Sequence, residues 1–213
     1  RPAFLIHTGD LCHADGIIWH AEKVSYGTLG IPVFFAIGNH DYLLGDNKER
    51  PSWVGYYPGV QYGEQLFERC LGPTYYSFEA GEIHFLVLPS RHSHDAEPGT
   101  SPADLHQWLN NDLEMLAPDR SIIVLQHCPE LGRYVVRAEG KKDLDLGQCN
   151  LRAILAGHWH ANQARRSADG FLSLLTTTPK CGGIDHSPRS FRVVHVEQQE
   201  LSVQTRIGGV EKQ

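Results

Sequence analysis

The chain has 213 residues, 41% hydrophobic and 21% charged, enough for one substantial α/β domain with a full core and tight for two. Its formal net charge is -6, with no cationic run beyond Gly140-Lys141-Lys142, which argues against a nucleic-acid-binding patch or an anionic-membrane surface, since both depend on clustered cations. The 5 Cys are scattered without a C-x-x-C pair, so neither a zinc knuckle nor a disulfide framework is expected, and no apolar stretch approaches a membrane span.

In chain order, Ala3 to Thr8 reads as a first strand running into Gly9-Asp10. Ile17 to Leu29 carries Ile18, Ala21, Val24 and Tyr26 at loosely helical spacing and stops at Gly30 before Pro32, which predicts a crossover helix. Val33 to Ile37 is short, continuous and β-branched or aromatic, the pattern of a strand covered on both faces. Gly38 then turns the chain out to Asn39, His40 and Asp41. Strand, helix, strand in this rhythm predicts a parallel pair joined by a right-handed crossover.

Tyr42 to Leu71 is rich in Gly, Pro, Tyr, Trp and charge, and is read as the rim of a site, with a short helix over Gln65 to Cys70. Thr74 to Phe78 and Ile83 to Leu88 predict a hairpin, followed by the polar loop Arg91 to Asp95. Ser101-Pro102-Ala103-Asp104 is a capping box opening an amphipathic helix that Pro118 ends. Ser121 to Gln126 then runs into His127. The stretch Pro129 to Asn150 is irregular, and strand Leu151 to Ala156 runs into Gly157-His158-Trp159-His160. The segments Phe171 to Leu175, Phe191 to Val196 and Leu201 to Thr205 alternate like antiparallel strands, with a bend at Cys181-Gly182-Gly183.

The recurring feature is an apolar strand that ends in Asp, Asn or His. Ligands in α/β sheets sit at the carboxyl ends of strands, so Asp10, Asn39-His40-Asp41, His127 and His158-Trp159-His160 lie where chemistry is expected. There are 13 His against 1 Met, and imidazole is the commonest metal ligand among side chains. His84, His106 and His195, set among apolar residues, are assigned packing roles. Oxygen and nitrogen donors of this kind suit Mn, Fe or Zn, and a carboxylate can bridge two ions about 3.5–4 Å apart in a site that clamps a phosphoryl group.

These residues resemble the calcineurin-like metallophosphoesterase superfamily, whose motif order is D-x-H, G-D, G-N-H-[D/E], H and G-H-x-H. Gly9-Asp10, Gly38-Asn39-His40-Asp41, His127 and Gly157-His158-Trp159-His160 match the last four blocks in order. The resemblance implies an α/β/β/α sandwich of two mixed sheets flanked by helices, as a single domain over residues 1–213. It implies hydrolysis of a small phosphomonoester or phosphodiester by a metal-activated hydroxide, with two divalent or trivalent ions (Mn, Fe or Zn). Asp10 would bridge both ions, Asn39, His127 and His158 would complete one, and His160 would bind the other. His40, oriented by Asp41, would protonate the leaving oxygen. No D-x-H precedes Asp10, and neither His7 nor His13 replaces it. The chain opens at Arg1 without an initiator Met and enters a strand almost at once, so that motif is expected on an upstream strand, which leaves localisation and oligomeric state open. The rival reading is a degenerate binding module holding one metal or none.

Overall fold

A computed structural model describes residues 1–12, 16–24, 26–42, 59–89, 102–178, 180–197 and 200–208. The loop Arg91 to Asp95, His13, the cap residue Ser101 and most of the proposed rim between Tyr42 and Gly59 lie outside the described residues.

β1 (Leu5–His7) and β2 (Val33–Phe35) pair in parallel, Leu5 opposite Val33 and His7 opposite Phe35, with α1 (Ile17–Lys23) and a 3-10 turn (Tyr26–Leu29) between them. α2 (Asn39–Tyr42) and α3 (Gly59–Cys70) follow. Asn39-His40-Asp41 therefore opens a helical turn where the residues read as a loop, and α3 is longer than the expected 65–70. The hairpin β3 (Tyr76–Ala80) and β4 (Ile83–Val87) is as read, and α4 (Pro102–Glu114) follows it. Then come β5 (Ser121–Leu125), the short β6 (Val135–Val136) and β7 (Leu144–Asp145), and β8 (Leu151–Ala156). The last strands are β9 (Gln163–Arg166), β10 (Leu172–Leu175), β11 (Ser190–Glu197) and β12 (Glu200–Ile207).

The main sheet is mixed, in the order β3-β4-β5-β8-β10-β9. β4, β5, β8 and β10 run parallel, while β3 and β9 are antiparallel edges. β10 thus departs from the antiparallel expectation: it lies parallel to β8 and antiparallel to β9. β11 and β12 form the expected antiparallel hairpin, Ser190 opposite Ile207.

The period of two along each strand assigns the layers. On β4 and β5, Ile83, Phe85, Val87, Ile123 and Leu125 point to one face, where they pack with Ala36, Phe4 and Ile6 of the β1–β2 pair and Leu201 of β12. The alternate residues Leu86, Leu88, Ile122 and Val124 point to the other face, against Leu105 and Leu109 of α4. On β2, Val33, Phe35 and Ile37 turn away from the main sheet onto Ile17 of α1 and Leu66 and Phe67 of α3. The order is therefore helix, sheet, sheet, helix, the expected α/β/β/α sandwich. β2 is covered on both faces, which explains its unbroken apolar run. Between the sheets, Phe34 stacks on Phe78 at 3.6 Å and Phe78 on Phe85 at 4.8 Å, with Phe4 edge-on to all three rings.

Of the bland histidines, His84 is buried between Glu79 and Asp112, with ring nitrogens 2.7 Å from each carboxylate, and His106 Nε2 lies 2.7 Å from the Lys142 carbonyl. His195 is exposed on β11, so a packing role does not describe it. No disulfide joins any of the 5 cysteines.

Candidate metal centre

Two strand tips cross here at close quarters. After β1 the backbone takes positive φ twice, 90° at Gly9 and 56° at Asp10. A Cβ on Gly9 would lie 2.8 Å from both the Gly38 amide nitrogen and His127 Nδ1, and one on Gly38 would lie 2.3 Å from the Asp10 amide nitrogen. Neither position accommodates any other residue without moving the partner tip, which gives the two glycines a physical reason.

The crossing is fastened by Asp41, which is wholly buried. Its Oδ2 accepts the amides of Asp10 and Gly38, both at 2.9 Å, and its Oδ1 accepts the Cys12 amide at 3.1 Å. Burial pushes this carboxyl up to about 6, and the Gly38 and Cys12 amides pull against that rise. Both oxygens of Asp41 are thus committed to backbone. The side chain expected to orient His40 ties together the tips that follow β1 and β2.

Asp10 faces the opposite way. Its Oδ1 accepts the His40 amide at 2.9 Å, and its Oδ2 lies 3.0 Å from His127 Nε2. His127, buried at the tip of β5, donates from Nδ1 to the Thr8 carbonyl at 2.7 Å. That bond fixes the tautomer, so Nε2 carries the free lone pair. His158, at the tip of β8, presents Nδ1 3.1 Å from His127 Nε2 and 3.1 Å from Asn39 Oδ1. Asp10, His127 and His158 offer donor atoms that all lie within 4.8 Å of one another.

With Nδ1 given to the Thr8 carbonyl, the 3.0 Å approach of Nε2 to a carboxylate oxygen is satisfied by a proton on Nε2 or by a metal cation that binds both atoms. Burial alone would push Asp10 up and His127 down. Their mutual attraction, with the His40 amide on Asp10, outweighs burial and leaves Asp10 below the usual carboxylate range and His127 above the usual imidazole range. The two shifts describe one demand for positive charge. Nitrogen, carboxylate and amide oxygen donors fit a transition metal or zinc ion better than an all-oxygen cation.

Sequence reasoning placed Asp10, Asn39, His127 and His158 at four separate tips, and the structure brings all four together. His160 stands outside the group that shares the 4.8 Å limit and is exposed. His40 is also exposed, held by its amide to Asp10. His7 ends β1 with Nδ1 buried and without a hydrogen-bond partner among the described residues; burial first, then the nearby His127 and His20, lower it to about 4. What sequence reasoning missed is the Thr8 carbonyl. A backbone oxygen leaves no trace in the side-chain pattern.

"Serine/threonine-protein phosphatase CPPED1" of Mus musculus is 28% identical over 184 residues, covering 76% of this chain and 54% of that protein. The human protein of the same name is 24% identical over 227 residues, covering 94% of this chain and 66% of its own. The chain thus spans about half the length of the first of these relatives. A solved dimetal phosphatase from Danio rerio superposes with a TM-score of 0.51 at 13% identity, over 96% of this chain and 81% of that one, which speaks to the fold. The calcineurin-like phosphoesterase family matches residues 1–162, a span that contains every strand tip at this centre, and the chain belongs to that family.

Proposed function

We propose that residues 1–213 form a single metallophosphoesterase domain that hydrolyses phosphoesters at a dinuclear centre. The observation that carries this reading is the convergence of Asp10 Oδ2, His127 Nε2, His158 Nδ1 and Asn39 Oδ1 from four strand tips. Bound there, Mn, Fe or Zn would supply Lewis acidity toward the phosphoryl oxygens and a nucleophilic water at neutral pH. The residues divide the remaining work. Asp10, Asn39, His127 and His158 would hold one ion, Asp10 would share a second, and His160 would contribute to the second. The Thr8 carbonyl keeps the His127 lone pair aimed inward, and Asp41 keeps the Gly9 and Gly38 tips in contact.

His40 is the proton source in this scheme. Its amide on Asp10 sets it beside the donors while its ring stays open to solvent, so an imidazolium there can protonate the departing oxygen, a contribution of about 10²–10⁴-fold. The relatives carry the name serine/threonine-protein phosphatase, which makes phosphoserine- and phosphothreonine-bearing proteins the first natural substrates to assay.

The test pairs elemental analysis with turnover of p-nitrophenyl phosphate and its bis ester, on the full-length protein and on this 213-residue chain. Two ions and turnover in the full-length protein are expected. No metal and no turnover in either would reject the reading.

A further inference from the structure

Next in the chain to the donor His158, and on a loop hydrogen-bonded to the same turn, stand two exposed apolar residues with no part in the scheme above, Trp159 and Ile184. Trp159 lies between His158 and His160, whose φ values of 60° and 44° fall in the left-handed region that residues with a Cβ avoid. The Trp159 amide donates to the Gly157 carbonyl at 2.7 Å, closing a tight turn. The turn presents His158 to the donor group and leaves Trp159 42% exposed.

The loop over residues 180–188 folds back on this turn. The Ile184 amide donates to the His160 carbonyl at 2.8 Å, and the Asn162 amide donates to Asp185 Oδ2 at 3.1 Å. The loop is closed on itself by Gly183 N to Ser187 O at 2.8 Å and His186 N to Gly183 O at 3.1 Å. A Cβ on Gly183 would lie 2.7 Å from the His160 carbonyl oxygen, so this approach requires glycine. On the loop so held, Ile184 is 77% exposed.

Single exposed apolar residues are ordinary on protein surfaces. This pair differs in that both sit on hydrogen-bonded backbone linked through His160, with Trp159 next in the chain to the donor His158. Their backbone is ordered before any ligand arrives, so a bound apolar group would not have to order it. The donors engage phosphoryl oxygens, which every phosphoester shares, so discrimination has to come from side chains further out. An indole face suits an aromatic ring, and Ile184 adds an aliphatic wall.

We propose that Trp159 and Ile184 form a specificity rim that recognises an aromatic group carried on the phosphoryl centre. The proposal rests on the phosphoester reading of the site. Its test uses the full-length protein with Mn²⁺ and two phosphonates, whose C–P bond is not cleaved by hydrolysis, so affinity is read without turnover. By titration calorimetry phenylphosphonate should bind about tenfold tighter than methylphosphonate, a difference of about 1.4 kcal/mol. Ile184→Ser should cut that advantage to about twofold with methylphosphonate affinity unchanged. Trp159→Ala should cut it likewise, and Trp159→Phe should restore it. Equal affinities in the wild type, or an advantage that survives both Ile184→Ser and Trp159→Ala, would overturn the rim and leave phosphoester binding standing. If neither phosphonate bound, the rim and the reading beneath it would fall together.

Discussion

The Asp41 carboxylate accepts the backbone amide of Asp10 at 2.9 Å, across 31 residues of chain. The bond shapes the donor site through main chain alone. Because the same carboxylate also takes the Gly38 and Cys12 amides, its removal releases both tips at once.

Asp41→Asn keeps the size but leaves one acceptor oxygen for three amides and sets an NH₂ group against another donor. The metal-free protein should lose about 2–3 kcal/mol, measured by urea unfolding. Metal affinity should fall with it. A stability equal to wild type would mean that the two tips hold their positions without this carboxylate.

The donors and the proton source should separate by mutation. Mn²⁺ at a hundredfold above its Kd should stabilise the wild type by roughly 2.7 kcal/mol. Asp10→Ala and His158→Ala should abolish that stabilisation together with activity. His40→Ala should retain the Mn²⁺-dependent rise in Tm while turnover drops about 10²–10⁴-fold. Thermal scans with and without Mn²⁺, beside a p-nitrophenyl phosphate assay, distinguish the two classes.

The two sheets are joined by aromatic rings. Phe85, 4% exposed, stacks on Phe78 and takes the edge of Phe4. Phe85→Ala should cost about 3–5 kcal/mol in chemical denaturation. Phe85→Leu, which fills most of the volume, should cost less.

Far from the metal donors, Glu79 gives a pH signature. Burial raises this carboxyl, but hydrogen bonds from Arg120 and His84 outweigh it and hold Glu79 below its usual 4.5. A carboxylate depressed in the folded state stabilises it above the unfolded-state pKa, and that stability is lost as pH falls through the folded value. Glu79→Gln should therefore be less stable than wild type at pH 7. The two stability curves should converge below about pH 4.5 in an acid titration followed by circular dichroism. Parallel curves down to pH 3 would show that the Glu79 charge contributes nothing.

Much of the architecture was legible because side-chain periodicity is local. β4, β5 and β8 are apolar runs interrupted only by His84, Ser121 and Arg152, since both of their faces are covered, and α4 announces itself through Leu105 and Leu109 on one face. β9 was not legible. Gln163-Ala164-Arg165-Arg166 is an edge strand, largely exposed, and its extended form comes from pairing with β10 and not from its own alternation. β10 is legible as a strand, but its antiparallel reading holds only toward β9 and fails toward β8, because alternation carries no information about which neighbour a strand pairs with. Asn39-His40-Asp41 was read as a turn, since a helix of four residues is too short to show a period.

By itself the sequence determined which residues stand at the ends of strands, and with them the chemistry on offer: carboxylate, amide and imidazole donors, each delivered by an apolar run. Only the tertiary structure decided which of those donors meet. His158 reaches Asn39 across 119 residues, and His127 takes its tautomer from the Thr8 carbonyl across another 119, while His160 remains outside the shared cluster. Asp41 shows the same division within one residue. Its carboxyl was visible in the sequence, but its work is to bind the amides of Asp10, Gly38 and Cys12, and backbone amides become its partners only when packing brings two strand tips to within the width of a glycine.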